Sequence, residues 1–216
     1  MIQTLDPQVL SLSDRWVVID KPSGWLTIPG RSGPGVPVLL EWVKQKYGEV
    51  WVVHRLDRET SGVILFARTA QDHLEANAWF RQRKVKKVYQ CLAEGVANAP
   101  FFKITDPIEG QASSTQVEVV EKLLGCFLAQ AFPRTGRRHQ IRIHLAQAGY
   151  PLLGDLLYRG KAALQISGTE LKVPRVALHA SALELPTGEK FRSPLPQDFV
   201  QWIGSLRGAL GVSTDV

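Results

Sequence analysis

Cysteine is nearly absent from this chain of 216 residues: Cys91 and Cys126 are the only two, far apart and outside any Cys-x-x-Cys spacing. That excludes a disulfide framework and a thiolate metal site, and leaves both as core thiols. No apolar run approaches the length of a membrane-spanning helix. The start, Met1 to Trp16, carries Asp6 and Asp14 where a signal peptide would set basic residues ahead of an apolar stretch. The expectation is a soluble cytoplasmic protein with no membrane partner. Internal repeats and low-complexity segments are also missing. Acidic residues are missing from Lys122 through Gly154, where Arg134, Arg137, Arg138 and Arg142 fall close together. The net charge is +6, and residues 77 to 154, with 11 basic and 5 acidic residues, carry all of it. Such a block suits a phosphate backbone, although clustered charge is also what a solvated face looks like.

The length allows one substantial core, so a single α+β domain spanning 1–216 is expected. Trp16-Val17-Val18-Ile19 reads as a strand, and Lys21-Pro22-Ser23-Gly24 as a turn with Pro second and Gly fourth. Pro29 to Pro37 reads as a surface loop around Arg31, and Val38 to Tyr47 as a short helix stopped by Gly48. Thr69 to Arg81 is predicted helical, with Ala70, Leu74 and Ala78 on its buried face. Arg81, Arg83, Lys84, Lys86 and Lys87 then lead into a strand from Val88 to Leu92. Gly95 to Ser114 reads as a long loop. Thr115 to Val120 and Cys126 to Phe132 read as an antiparallel pair. Arg138 to Ala148 reads as a basic amphipathic helix with Ile141, Leu145 and Ala148 on one side. Val176 to Leu185 follows as a strand, and Pro196 to Leu206 as a closing helix.

The most informative segment is His54 to Gly62, HRLDRETSG, where one carboxylate, Asp57, stands between two guanidiniums, Arg55 and Arg58. It is flanked by Trp51-Val52-Val53 and Val63-Ile64-Leu65-Phe66, β-branched and aromatic runs that read as strands. Asp57 therefore sits on a loop braced by a sheet. Neighbouring guanidiniums favour its charged form, and the group is equipped to act as a nucleophile, a base or an electrostatic stabiliser. Composition alone also allows a solvated hairpin tip.

The string resembles the catalytic motif of the RluA-type pseudouridine synthases, HRLD, two residues, then TSG, with every fixed position present. The resemblance implies Asp57 as the essential catalytic residue. Residues 134 to 155, RTGRRHQIRIHLAQAGYPLLGD, resemble a second family motif, and map the family's active-site arginine, partner of the catalytic Asp, onto Arg142. Tyr89, in a Lys-Lys-x-Tyr setting, matches the family's active-site tyrosine, whose ring packs on the target base and whose hydroxyl takes part in proton transfer. Lys21-Pro22-Ser23-Gly24 with Ile28-Pro29-Gly30-Arg31 is similar to the family's first motif. The similarity runs from about residue 16 to 195.

The resemblance implies a mixed, mainly antiparallel central β-sheet with flanking helices and a catalytic cleft. It implies isomerisation of uridine in structured RNA, ribosomal or transfer RNA or both, by a monomer that needs no cofactor. Larger relatives begin with a separate RNA-binding domain and this chain opens on the catalytic one. RNA contacts are therefore expected from Arg55, Arg83, Lys84, Lys86, Lys87, Arg137, Arg138 and His139. His139 and His144 lie five apart, on different helical faces and without a completing ligand, so no metal site is expected. They are expected to hydrogen-bond locally or face RNA, as are His54 and His179. Two rivals stay open at this point: an RNA-binding protein without catalysis, and a hydrolytic N-glycosidase using Asp57 with Glu59.

Overall fold

The computed structural model describes residues 5–30, 35–166 and 168–209. Arg31 and the rest of 31–34, inside the loop expected from Pro29 to Pro37, lie outside them. The elements in chain order are β1 (Gln8–Leu12), β2 (Trp16–Lys21), α1 (Leu39–Tyr47), β3 (Trp51–Val52), β4 (Ser61–Ala67), α2 (Ala70–Arg81), β5 (Lys86–Glu94) and β6 (Phe101–Ile104). There follow β7 (Thr115–Leu123), β8 (Cys126–Pro133), α3 (Gln140–Gln147), a short 3-10 turn (Leu156–Tyr158), β9 (Ala163–Ile166), β10 (Thr169–Lys172), β11 (Leu178–Glu184), β12 (Lys190–Arg192) and α4 (Gln197–Gly208). They fall into two compact units, one of residues up to 87 with 180–194, the other of 88–179 with the residues from 195 on.

In the first unit β2 lies antiparallel between β1 and β4, and β3 pairs with the far end of β4 through Trp51 opposite Ala67 and Val52 opposite Phe66. Strand alternation sends Trp16, Val18, Val63 and Leu65 to one face. There they pack with Ala76, Trp79 and Phe80 of α2. The other face is buried too, Val17, Ile19, Ile64 and Phe66 all being inaccessible. The inward face of α2 differs from the expectation, because Leu74 is 64% exposed while Asp72 and Ala76 are buried. The cause is polar. Asp72 takes an inward place because its backbone N–H is capped by the Thr69 hydroxyl (3.0 Å) and its carboxylate pairs with Arg15 (2.6 Å).

The last residue of the 54–62 string has a purely steric reason. Gly62 has φ +113°, and a Cβ there would lie 2.2 Å from the carbonyl oxygen of Ala180. No side chain fits between these neighbours. Gly62→Ala is therefore expected to cost about 3 kcal/mol or more of stability, read as a lowered urea midpoint with unchanged slope.

In the second unit the strands run in the order β5-β8-β7-β6, all antiparallel. The expected Gly95–Ser114 loop is interrupted by β6. Its adjacent Phe101 and Phe102 pair with Glu118 and Val117, and only Phe102 packs on the core. Alternation divides β5 and β8 between two cores. Cys91, Ala93, Phe127 and Ala129 meet Ile141 and Leu145 of α3. Leu92, Cys126 and Leu128 meet Phe199, Trp202 and Leu206 of α4. Helices on both faces explain why β8 is apolar at nearly every position. Both thiols are buried, and burial pushes each up to about 12, so they are inert as read. The helix expected from Arg138 begins only at Gln140, because His139 takes a left-handed conformation (φ 54°) that stops the helix on its N-terminal side. Nor is α3 amphipathic, since Gln140, Ile141, Arg142, His144 and Leu145 are all buried and Ala148 is exposed. Strands and helices together make the α+β architecture that was expected.

Candidate active site

Asp57 lies on the loop between β3 and β4, and that loop is clamped from beneath by the turn after β2. Lys21 is the centre of the clamp. Its side chain is 0% exposed, and its ammonium donates to the carbonyls of Pro22 (3.0 Å), Trp25 (2.9 Å) and Arg58 (3.1 Å). A buried ammonium is tolerated only when its donors are met, and here three loop carbonyls accept from it. Ser23 Oγ donates to the Glu59 carbonyl (2.8 Å) and the Gly24 N–H to that of Arg58 (2.8 Å). Thr27 completes the frame, its hydroxyl accepting from the Leu56 N–H (3.2 Å) and donating to the Leu56 carbonyl (3.0 Å). Buried Leu56 anchors the loop, so that half-buried Asp57 is fixed in place between exposed Arg55 and Arg58. The family-like KPSG turn thus works as the foundation of the HRLD loop. No pattern of charge or period in the sequence marks Lys21 as buried.

His54 is a support. Its ring stacks on Phe80 (4.9 Å, 20°), and its Nε2 accepts from the Leu65 N–H (3.1 Å), which places the proton on Nδ1. Burial, with the charge of Lys87 adding to it, lowers its pKa to about 3. A neutral imidazole is what the Leu65 donor requires.

The basic residues expected on RNA divide. Arg83, Lys84 and Arg55 are exposed, and Arg83 occupies the left-handed region (φ 60°) just past α2. Lys86 is also exposed but pairs with Glu184 (2.8 Å). Lys87 is half-buried, and desolvation lowers it to about 8.

The second unit carries Tyr89, Arg137, Arg138, His139 and Arg142. Tyr89 stands opposite Ala131 in the β5–β8 pair and packs half-buried on the core around Cys91. Arg142 is buried in α3 and is gripped bidentately by Asp155, Nε to Oδ2 and Nη2 to Oδ1, both at 2.7 Å. Asp155 belongs to the second motif but carried no assigned role in the sequence. Two parallel charge-assisted bonds fix the plane of the guanidinium. The Tyr158 ring lies 5.1 Å from the Arg142 guanidinium, and its hydroxyl bonds His139 Nδ1 (3.0 Å).

Gln140 is a further residue that the sequence did not single out. Its amide oxygen accepts from the Arg137 N–H (3.1 Å) and the Thr135 hydroxyl (2.6 Å), and its amide nitrogen donates to the Ser114 carbonyl and the Thr115 hydroxyl (3.0 Å each). One buried side chain thus ties the Arg-rich turn to the start of β7. Arg137 Nε and Ser114 Oγ, on the two segments that Gln140 ties together, are buried without a hydrogen-bond partner. His144 serves structure: its Nε2–H donates to the Asp106 carbonyl (3.1 Å), and its Nδ1 accepts from the Thr115 hydroxyl (2.9 Å). Among the described residues no cluster of His, Cys, Asp or Glu is placed to hold a metal ion.

Residues 15–147 match the model of the RNA pseudouridylate synthase family. The chain is 32% identical over 210 residues to the dual-specificity RNA pseudouridine synthase RluA of Pasteurella multocida, covering 90% of each protein. It is 31% identical to the ribosomal large subunit pseudouridine synthase D of Pseudomonas aeruginosa, covering 95% of this chain and 73% of that one. Among solved structures it is similar to human RNA pseudouridylate synthase domain containing 4, with a TM-score of 0.74, 26% identity and 92% of each chain covered.

Proposed function

The chain belongs to the RNA pseudouridylate synthase family and is an RNA pseudouridine synthase, and from that membership we propose that it isomerises specific uridines of ribosomal RNA, transfer RNA or both, with Asp57 as its catalytic carboxylate. The observation that carries this reading is the clamped loop, which holds one carboxylate, in the family's motif, on a frame of Lys21, Ser23 and Thr27. The reaction breaks the bond from uracil N1 to the ribose and joins the same ribose carbon to C5. The C5 hydrogen leaves as a proton and N1 gains one, so atoms balance and no oxidation occurs. A cofactor has nothing to supply.

A stacked uridine must first leave its helix, at a cost of a few kcal/mol. Exposed Arg55, beside Asp57, fills the vacated space or steadies the loop. Arg83, Lys84, Arg137 and Arg138 supply phosphate contacts, joined by Lys86, Lys87 and His139 at the margins. Asp57 acts on the ribose, Tyr89 places its ring on the base, and Arg142, held by Asp155, is the guanidinium that the family pairs with the catalytic carboxylate. The whole chain is read as one catalytic domain, a monomer working in the cytoplasm.

Tyr89→Phe tests the division of labour. Phe keeps the ring and deletes the hydroxyl, which on this reading helps the C5 proton leave, a positioned base being worth roughly 100- to 10,000-fold. The variant is expected to bind RNA like the wild type and release tritium from 5-tritiated uridine in RNA far more slowly. Release at the wild-type rate would reduce Tyr89 to a stacking platform.

A further inference from the structure

The turn that carries Asp155 is built as a rigid projection. Two of its polar side chains are tied inward: Asp155 holds Arg142, and Tyr158 lies on the Arg142 guanidinium with its hydroxyl on His139. Its backbone closes on itself, the Tyr158 and Gly160 N–H groups both donating to the Asp155 carbonyl (3.1 and 2.8 Å) and the Gly154 N–H to that of Lys161 (2.8 Å). Gly160 is locked in place, since a Cβ there would lie 1.8 Å from the Leu152 carbonyl oxygen. What this frame presents outward is Arg159 and two leucines. Leu156 is 73% and Leu157 66% exposed, and among the described residues they are the only two exposed large hydrophobics adjacent in sequence. Single exposed leucines need no account, whereas a hydrogen-bonded turn that exposes two in succession does.

The surroundings name the partner. Between residues 123 and 169 the one acidic residue is Asp155, whose carboxylate is held by Arg142. Arg138 and Arg159 are exposed, Arg137 Nε is buried without a partner, and nearby Glu94 is occupied by the Lys161 backbone and ammonium. An apolar tip with exposed Arg159 in the same turn, and exposed Arg138 next in sequence to the His139 that bonds Tyr158, matches a nucleic acid, with phosphates for the cations and base faces for the leucines, better than it matches a protein surface. Apolar side chains inserted between bases are a known way of unstacking a helix. On the reading that the substrate is RNA, we infer that Leu156 and Leu157 form a wedge that enters the base stack beside the target uridine and holds it open while the base is out.

The test uses the full chain, its Leu156→Ser/Leu157→Ser variant and a synthetic RNA stem–loop with 2-aminopurine stacked beside a 5-tritiated uridine. Wild-type protein is expected to raise 2-aminopurine fluorescence on binding. The variant should unfold at the wild-type temperature, bind with about tenfold lower affinity, as leaving one leucine side chain unburied implies, and leave the fluorescence near that of free RNA. On a stem–loop whose tritiated uridine and its neighbour are already unpaired, variant and wild type should bind within about twofold. Equal fluorescence gains, an equal loss on both RNAs, a lowered unfolding temperature, or a wild-type dimer that the variant dissolves would each overturn the wedge. Tritium release reads the isomerase assignment separately: a wild-type protein that unstacks the stem but releases no tritium keeps the wedge and loses the reaction.

Discussion

Asp57→Asn is expected to abolish isomerisation while leaving RNA affinity within several-fold of the wild type. Asparagine keeps the shape of the side chain, and the loop beneath it is held through the backbone carbonyls of Leu56, Arg58 and Glu59, none of which the substitution touches. The fold should therefore persist and the affinity, which rests on cations elsewhere, should change little. What disappears is the negative charge that, on the proposed reading, attacks the ribose or removes its proton. Losing a group with such a role costs roughly 100- to 10,000-fold in turnover or more. Single-turnover tritium release, run beside a filter-binding titration of the same RNA, separates the two effects. Turnover within tenfold of the wild type would remove Asp57 from the chemistry.

Arg142→Met is expected to have the largest effect on stability. The arginine and Asp155 side chains are 5% and 1% exposed. Removing the cation strands a carboxylate with no water to solvate it, a loss of about 3–5 kcal/mol where a buried pair is broken from one side. The Tyr158 ring also loses the guanidinium beside it. Adding Asp155→Asn to Arg142→Met removes the stranded charge, so the double variant should regain part of the loss in urea unfolding. On the proposed reading, in which the guanidinium itself takes part in catalysis, it should not regain turnover. A double variant with wild-type tritium release would make Arg142 a structural residue only.

Strands β2, β4, β7 and β8 were legible because they announce themselves through β-branched and aromatic runs bounded by turn residues. The loop that carries Asp57 was legible for the same reason, and its motif is what points to the family. The polar residues that hold these pieces were not. Lys21, Gln140 and Asp155 read as surface residues by type, and their burial depends on partners distant in sequence: Arg58 for Lys21, Ser114 for Gln140 and Arg142 for Asp155. Periodicity reports which positions face inward only when apolar residues occupy them. Helix α2 shows the failure, with buried Asp72 answering to Arg15 and Leu74 left in solvent. In α3 the backbone of His139 overrode a helical pattern that continued through Arg138. The grouping of the described residues into two units, with 180–194 joining the N-terminal one, has no local signature at all.

The most direct test of the central claim is nucleoside analysis of unmodified ribosomal and transfer RNA after incubation with the purified protein and, in parallel, with Asp57→Asn. The account predicts that the wild type converts uridine to pseudouridine at defined positions, with the RNA mass unchanged and no uracil released, and that the variant converts none. Free uracil with abasic RNA would contradict it in favour of hydrolysis, and RNA bound but unchanged would contradict it in favour of a binder.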